Sequence, residues 1–228
     1  MTGGEIASRI QHTNVRPDAT RADIERLLGE CLEHGFNGAM VNPMWVPLAV
    51  STLRGSSVRV CTALDFPMGG GTTASVVEAA AEATRMGADQ IDVMTKVGWL
   101  KSGMESEYLS HLSAVVSAAG GSLVKAMLEF ALLDAEELVR AVELCADAGV
   151  AYVKNSSGFG GGDATAEIVA ELARASAGRV KVKASGGIRT PEQAVALLDA
   201  GADLLGSSGS VGIVTGRAES GSGSGRSY

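Results

Sequence analysis

Two lysines in this sequence each stand at the end of an apolar, strand-like run and before a glycine-containing turn. Lys154 precedes the turn in AYVKNSSGF, and Lys183 precedes the turn in VKVKASGGIRT. Burying an ammonium group is costly unless it is paired or neutralised, and desolvation lowers its pKa. A neutral lysine amine can attack a carbonyl, and a second lysine on a neighbouring strand favours that neutral form by repulsion. The alternative is that each lysine lies on the surface at a strand end.

An aspartate and a third lysine fall within other apolar runs. Asp92 lies at the centre of QIDVMT, where strand alternation puts it on one face with Met94 and Lys96. A buried carboxylate needs a cationic partner, either as a general acid or base or as a structural ion pair. Lys125 lies in LVKAML. Packing alone would not explain Asp92 and three lysines in one interior, although any single lysine can extend its side chain to solvent.

Two glycine-rich turns follow the last two strand-like runs and indicate a phosphate site. They are SGGIR at residues 185–189 and GSSGS at residues 206–210. Glycine-turn N–H groups and helix N-termini bind anions, and barrel enzymes bind phosphate in the loops after strands seven and eight. Glycine also lets a chain turn tightly into a helix, but its occurrence in both loops favours phosphate.

Other chemistries have little support in the sequence. His12, His34 and His111 share no metal-ligand spacing, and no GxSxG nucleophile motif is present. Cys61 lies inside a strand-like run, which indicates an inert core thiol. We therefore expect neither a metal nor another cofactor.

The composition is typical of one α/β domain. The chain has 228 residues, of which 4% are aromatic. The net charge of −7 and the pI near 5.0 argue against a nucleic-acid partner. No apolar run approaches the ~18–20 residues that span a bilayer, and the start MTGGEIASRIQHT lacks signal-peptide regions. Three separated cysteines suit a reducing compartment, so a cytoplasmic protein without a membrane partner is expected.

Strand-like and helix-like segments alternate along the chain. Strands are predicted at residues 11–15, 37–41, 58–64, 90–95, 123–128 and 203–205, and around Lys154 and Lys183. Helices are predicted at residues 19–35, 43–53, 73–86, 102–119, 135–148, 164–175, 191–200 and 211–215. Thr20 is expected to cap the first of these helices and Gly35 to end it.

This alternation predicts parallel strands joined by crossover helices, and eight such units in under ~250 residues predict an α/β fold of the (β/α)8 barrel type. An open, doubly wound sheet is the alternative, but no GxGxxG follows the first strand. Barrel chemistry occurs at the carboxyl ends of the strands, where Lys154 and Lys183 both lie. Residues 1–217 are expected to form one barrel domain, and the glycine- and serine-rich residues 218–228 a flexible tail.

Segments from about residue 10 to residue 214 together resemble one enzyme family. They are HTNVRPDAT, VNPMWVPLA, CTALDFPMG, DQIDVM, GWLKSG, LVKAMLE, YVKNSSGFG, VKASGGIRT and GSSGSVGIV. With these segments the chain closely resembles the deoxyribose-phosphate aldolases, which are class I, Schiff-base aldolases. The combination is highly specific, whereas none of the segments would suffice alone.

The resemblance implies a TIM barrel and a set of site residues. Lys154 matches the lysine that forms an imine with the substrate carbonyl, and Lys183 matches the lysine that holds down the pKa of the first. Asp92 matches the carboxylate that shuttles protons, and Lys125 a supporting lysine. The phosphate-binding positions of the family match Gly158, Gly186, Gly187, Arg189, Gly206 and Ser208. Tyr228 matches the terminal tyrosine with which the tail of some members reaches the active site.

The implied activity is the reversible, cofactor-free cleavage of 2-deoxy-D-ribose 5-phosphate into glyceraldehyde 3-phosphate and acetaldehyde. One alternative is a related Schiff-base aldolase that acts on another aldehyde or ketone. Another is a non-catalytic phosphosugar-binding barrel, although a binding protein has no need of a lysine with a lowered pKa. The expected partners are a small phosphosugar or aldehyde and a second copy of the chain in a homodimer.

The sequence also departs from the family pattern, in ways that bear on the substrate rather than on the lysine chemistry. The departures are Gln11 for aspartate, Asp65 for glycine, Lys96 for asparagine, Phe130 for threonine, Asn155 for threonine and Gly209 for serine.

Overall fold

The computed structural model describes residues 1–216 as a closed barrel of eight parallel strands, which confirms the predicted (β/α)8 fold. The strands are β1 Ile10–Asn14, β2 Gly38–Val41, β3 Arg59–Leu64, β4 Gln90–Met94, β5 Leu123–Met127, β6 Tyr152–Lys154, β7 Lys181–Ser185 and β8 Leu204–Ser207. Each strand pairs with the next in sequence, and β8 returns to β1, where Ile10 is in register with Leu205. Because the barrel is closed, it has no exposed strand edge that could pair with a strand of another chain.

Ten α-helices accompany the strands in residues 1–216. They are α1 Gly3–Ala7, α2 Arg21–His34, α3 Val46–Leu53, α4 Thr73–Arg85, α5 Val97–Lys101, α6 Glu105–Ala118, α7 Ala135–Asp147, α8 Ala166–Ser176, α9 Pro191–Asp199 and α10 Ser210–Thr215. None of these helices has the length and apolar character of a membrane-spanning segment.

Local signals in the sequence set the ends of several helices. Thr20 caps α2 with a capping box that includes Asp23, and Gly35 ends the helix in the left-handed conformation, as predicted. Asp134 caps α7 in the same way. Thr190 caps α9, and the following Pro191 has no N–H that would need a partner at this position.

The segment after β4 differs from the prediction. The helix predicted over residues 102–119 corresponds to α6, but a short helix that was not predicted, α5, precedes it. Gly103, with a φ of 70°, separates the two helices. Strand β4 ends at Met94, so Lys96 lies outside the strand, immediately before α5. The expectation that Lys96 shares a strand face with Asp92 is therefore wrong.

The barrel separates an apolar core from a charged interior. The main core fills the space between strands and helices, with fully buried residues such as Ile24, Leu28, Ile91 and Leu172. Inside the barrel, a smaller apolar cluster near the carboxyl ends consists of Val15, Met40, Cys61, Ala63, Met94 and Met127, with Phe66 packed against it. The charged side chains described next lie beside this second cluster, at the end of the barrel where a substrate can enter.

Candidate active site

Asp92 lies at the centre of the barrel between two lysines. Strand register puts it beside Lys125, whose Nζ donates to Asp92 Oδ1 at 2.9 Å. Lys183 Nζ donates to the other carboxylate oxygen, Oδ2, at 2.7 Å. All three side chains are almost fully buried. The three residues therefore form a hydrogen-bonded ion cluster without access to bulk water.

Lys154 lies at the carboxyl end of β6, in register with Met127 on one side and Lys183 on the other. Its Nζ is 3.5 Å from Asp92 Oδ2 and donates to Met127 Sδ at 3.4 Å. Unlike Lys125, Lys183 and Asp92, Lys154 lines a cavity that opens at this end of the barrel. Lys154 is therefore the member of the cluster that a small molecule can reach.

The charges of the cluster shift one another's pKa values. Burial would raise the pKa of Asp92, but the adjacent Lys125, Lys183 and Lys154 outweigh it and hold that pKa well below its usual range. Burial lowers the pKa of Lys183 to about 7, with Asp92 opposing and the other two lysines adding to the shift. Burial likewise lowers the pKa of Lys154; Asp92 opposes this shift and Lys125 adds to it. Asp92 is thus ionised, and the amines of Lys183 and Lys154 are more readily neutral than in water.

Gln11 completes the surroundings of Lys183. Its Oε1 accepts a hydrogen bond from Lys183 Nζ at 2.6 Å, and its Nε2 donates to Gln90 at 2.8 Å and to Asn37 at 3.3 Å. Gln11 is fully buried and uncharged. With glutamine here instead of the family's usual aspartate, Asp92 balances the nearby lysines without a second carboxylate at this contact.

The cavity that Lys154 lines has two unlike sides. One side is apolar and the other consists of strand ends and turns. The apolar residues are Val15, Met40, Ala63 and Phe66. The polar or glycine positions are Thr13, Ser157, Ser185, Gly186, Gly206, Ser207 and Ser208. Three of the predicted phosphate residues, Gly186, Gly206 and Ser208, therefore share the cavity with Lys154.

The other predicted site residues lie elsewhere. The N–H of Gly158 donates to Ser156 Oγ at 2.9 Å, so this N–H already has a hydrogen-bond partner within its own turn. Arg189 is exposed, and its backbone N–H donates to Gln193 Oε1. Gly187 adjoins Gly186 in the same turn, with a φ of 71°. Tyr228 and the predicted tail lie outside the described residues.

Asp163 is a carboxylate beside the predicted phosphate turn that sequence reasoning missed. A side chain at Gly187 would overlap the carboxylate of Asp163. The position of Asp163 is fixed through its neighbour, because the N–H of Ala164 donates to the carbonyl of Gly186 at 3.0 Å. Its only signal in the sequence is that it ends the glycine run GFGGGD immediately after the Lys154 segment.

Glu129 is a second residue that the sequence did not single out. It has a φ of 52°, and its carboxylate accepts hydrogen bonds from the backbone N–H of Ser157 and from Ser157 Oγ. Gly160 passes so close that a side chain there would overlap this carboxylate. Glu129 therefore holds the turn that follows Lys154.

Two departures from the family pattern, Lys96 and Asp65, contact each other. Lys96 Nζ donates to the carboxylate of Asp65 and to the carbonyls of Gly69 and Gly71, at 2.9 and 2.6 Å respectively. The N–H of Gly71 in turn donates to Asp65 Oδ1 at 2.8 Å. The buried Lys96 thereby fastens the loop of residues 65–72, which carries Phe66 into the cavity.

The remaining departures also have defined contacts. The side-chain amide of Asn155 donates to the carbonyl of Ser185 at 2.9 Å and accepts from its N–H at 2.8 Å. The ring of Phe130 lies so close to Gly162 that a side chain at position 162 would overlap it. The N–H of Gly209 donates to Ser207 Oγ at 3.0 Å. Residues 1–216 contain no group of three or more acidic, histidine or cysteine residues that could hold a metal ion.

Comparison with known proteins gives consistent matches. Residues 9–220 match the family model described as DeoC/LacD family aldolase. The deoxyribose-phosphate aldolase of Brevibacillus brevis is 44% identical, over 94% of this chain and 97% of that protein. The one of Thermosynechococcus vestitus is 46% identical, over 92% and 96%. The tetrameric deoxyribose phosphate aldolase of Aeropyrum pernix superimposes with a TM-score of 0.88 at 29% identity, covering 94% of this chain and 91% of that one.

Proposed function

The chain belongs to the DeoC/LacD family of aldolases, and from this membership we propose that it is an aldehyde-lyase that cleaves 2-deoxy-D-ribose 5-phosphate. The products are glyceraldehyde 3-phosphate and acetaldehyde, and the reaction is reversible. The observation that carries this proposal is that Lys154 lines the cavity while burial lowers its pKa. A neutral, accessible amine is what Schiff-base formation requires.

Lys154 is proposed as the covalent residue. Its Nζ attacks C1 of the open-chain sugar phosphate, and the carbonyl oxygen leaves as water to give an iminium. The C3 hydroxyl then loses its proton and the C2–C3 bond breaks, so that glyceraldehyde 3-phosphate leaves and the electron pair forms an enamine. Protonation of C2 and addition of water release acetaldehyde and regenerate the amine.

The other charged residues of the cluster act on protons and on charge. The ionised Asp92, through a water or Lys183, transfers the protons of the imine and enamine steps. Lys183 is proposed to disfavour the charged form of Lys154 by repulsion. The larger effect is burial, which lowers the pKa of Lys154 together with the charge of Lys125. Lys125 supports the site by holding Asp92 Oδ1 at 2.9 Å.

The phosphate group is proposed to bind at the turns after β7 and β8. Gly186, Gly206 and Ser208 line the cavity of Lys154, which supports this assignment. Gly187 and Arg189 adjoin Gly186 in the same turn, and Gly158 belongs to the neighbouring turn. Backbone N–H groups at glycine turns and a cation near a helix start suit a phosphate dianion.

A second candidate function follows from Asp163, which lies against Gly187. A carboxylate beside the phosphate turn favours a related aldolase that accepts an unphosphorylated aldehyde. Cleavage of 2-deoxyribose 5-phosphate and of 2-deoxyribose, measured side by side, separates the two candidates. A higher kcat/KM for the phosphorylated sugar supports the first, and a higher value for the free sugar supports the second.

Trapping tests the lysine assignment directly. Incubation with acetaldehyde and borohydride should add mass to the peptide that contains Lys154, and Lys154→Ala should show neither the adduct nor activity above background. An adduct on Lys183 would contradict the assignment. A wild-type protein without any adduct would favour the non-catalytic phosphosugar-binding barrel.

Tyr228 lies outside the described residues and is proposed to assist protonation of the enamine carbon through its phenol. Deletion of Tyr228 alone should slow solvent-deuterium exchange into acetaldehyde more than it slows sugar cleavage. Unchanged rates of both reactions would remove Tyr228 from the mechanism.

Assembly and location complete the proposal. We propose a homodimer in the cytoplasm; the tetrameric relative from Aeropyrum pernix supports self-association, and the free, buried Cys31, Cys61 and Cys145 suit a reducing compartment. Sedimentation at micromolar concentration tests the assembly, and a monomer would contradict it. Cell fractionation tests the location.

A further inference from the structure

One buried hydroxyl in the cavity has no hydrogen-bond partner among the residues that the structure describes. Three buried side-chain atoms among residues 1–216 lack a hydrogen-bond partner, namely Trp45 Nε1, His111 Nε2 and Ser185 Oγ. Of these, only Ser185 belongs to the lining of the cavity that Lys154 shares. Buried polar groups are nearly always hydrogen-bonded, so this hydroxyl indicates a place where a ligand supplies the partner.

The direction of this hydroxyl is set by the backbone that carries it. The Asn155 amide accepts from the N–H of Ser185 at 2.8 Å and donates to its carbonyl at 2.9 Å, so Ser185 is held on both sides. Ser185 at the end of β7 is in register with Gly206 on the neighbouring strand β8. A side chain at Gly206 would overlap Ser185 Oγ, so the hydroxyl occupies space that glycine leaves open in the cavity.

Along the strand direction, Ser185 lies between the positions proposed to hold the two ends of the substrate. Lys154 is in register with Lys183, and Ser185 follows Lys183 by two residues on the same inward face. Two residues of strand advance about 6–7 Å toward the cavity mouth. Gly186, where the phosphate is proposed to bind, comes next in the chain. Ser185 therefore lies between the amine that would hold C1 and the turn that would hold the phosphate on C5.

We propose that Ser185 is a specificity-determining residue that hydrogen-bonds the hydroxyl next to the aldehyde carbon of the acceptor. In 2-deoxyribose 5-phosphate this is the C4 hydroxyl, which lies between the breaking C2–C3 bond and the phosphate. This inference rests on the proposed aldolase function and deepens it, because it names the acceptor class as α-hydroxy aldehydes. A serine hydroxyl can both donate to and accept from such a group.

The proposal predicts discrimination between acceptors that differ in this one hydroxyl. A site built to bond a hydroxyl loses much more with an analogue that lacks it than an apolar pocket does. Glycolaldehyde and propanal are nearly the same size, but propanal has a methyl in place of the hydroxyl. Ser185→Ala removes the Oγ and leaves both backbone bonds to Asn155 in place, so the fold should persist.

The experiment measures kcat/KM for addition of the acetaldehyde enamine to each of these two aldehydes. Ser185→Ala should lower the value for glycolaldehyde about tenfold, since one hydrogen bond is worth about that factor, and change propanal less than about twofold. Ser207→Ala is the matched control in the same cavity. Its Oγ already donates to the carbonyl of Ile188 at 2.8 Å, so its loss should affect both acceptors equally.

Equal effects of Ser185→Ala on the two aldehydes, or no effect on either, would overturn the role of Ser185. A wild-type protein that gives no borohydride adduct at Lys154 would instead overturn the aldolase function, and this inference with it. The adduct experiment depends only on imine formation at Lys154 and not on the proposed contact of Ser185, so the two failures are distinguishable.

Discussion

Lys183 and Lys154 share one carboxylate oxygen, Oδ2 of Asp92, as their nearest negative charge. Asp92 Oδ2 is 2.7 Å from one Nζ and 3.5 Å from the other. The remaining contact of Lys183 is the neutral Oε1 of Gln11. Lysines buried with one carboxylate cannot all remain charged at low cost, which is the physical basis for a reactive amine in this barrel.

Replacing Gln11 by glutamate tests this balance. Gln11→Glu should raise the pKa of Lys183 above its value of about 7, by about one unit or more, because a second carboxylate stabilises the ammonium. NMR titration of labelled lysine side chains measures this value. Gln193→Glu is the control, because it makes the same change at the exposed start of α9, where the capping box accepts glutamate equally well. This variant should leave the pKa of Lys183 unchanged. A Lys183 titration that is identical in the Gln11→Glu variant would contradict the argument.

The loops at the carboxyl ends of the strands hold one another in place. Glu129 at the end of β5 bonds Ser157 after β6, and Ala164 of that same loop bonds Gly186 after β7. Lys96 fastens the loop between β3 and α4 to the end of β4. Loop positions around the cavity therefore depend on contacts between loops as well as on the strands.

Asp163 is expected to weaken the binding of phosphorylated substrates. Asp163→Asn should lower KM for 2-deoxyribose 5-phosphate about fivefold, since an exposed pair of charges is worth up to about 1 kcal/mol, and leave KM for 2-deoxyribose unchanged. Asp199→Asn removes the same charge at the end of α9, on the opposite face of the barrel, and should change neither value. Steady-state kinetics on both sugars measures the effect. Equal shifts with the two sugars would show that the charge of Asp163 does not act on phosphate.

This carboxylate also bears on how the phosphate turn is tested. Introducing aspartate at Gly187 would combine a new charge with overlap against Asp163 and with a φ of 71°, which L side chains rarely adopt. Any loss of activity would then have several causes, whereas Asp163→Asn changes charge alone.

Lys96 should contribute to stability through its loop contacts. Lys96→Met leaves the buried Asp65 carboxylate without its cation and should lower the free energy of unfolding by about 3 kcal/mol. The same substitution at the exposed Lys181, at the start of β7, should cost at most about 1 kcal/mol, because it removes only an exposed cation–π contact with the Tyr152 ring. Urea unfolding at neutral pH measures both. Equal losses in the two variants would mean that the Lys96 contacts contribute no more than a surface residue.

At the scale of the whole molecule, closing the barrel removes a charged cluster from water. Asp92, Lys125 and Lys183 are at most 1% exposed. The apolar core around the barrel has to supply the free energy that offsets this burial, because an ion cluster without solvent contributes little net stability. The site is thus maintained by the fold at a cost that depends on protonation.

That cost should appear in the pH dependence of unfolding. The pKa of Lys183 is about 7 in the folded barrel and near the ordinary 10.5 in the unfolded chain, so the unfolded chain binds more protons between these values. Stability from this residue therefore rises as pH increases from 7 to 10.5. As the pH is lowered over the same range this stability is lost, and the loss is complete below the folded pKa of about 7. Relative to Lys183→Met, the wild type should gain unfolding free energy over this range in urea titrations. Lys181→Met should follow the wild type, and parallel curves for all three proteins would contradict the assignment.

The alternation of strand-like and helix-like segments was sufficient to predict the barrel, because each parallel strand needs a crossover helix and eight such units close. The period of two within strands also assigned Asp92 to one face of its strand, and the structure shows that this residue is buried together with Lys125 and Lys183. The rule failed at Lys96, because β4 ends at Met94 and strand alternation does not apply beyond the end of the strand.

Contacts between loops were decided only by the tertiary structure. Asp65 and Lys96 are 31 residues apart, and Glu129 and Ser157 are 28 apart. Asp163 meets Gly187, and Ser185 faces Gly206, across different loops and strands. Loops have no repeating geometry, so which side chains meet depends on where neighbouring chain segments run after the barrel closes. The sequence by itself therefore identified the lysines and their strands. The closed barrel decided that Lys154 is the one that lines the cavity, and which residues surround it there.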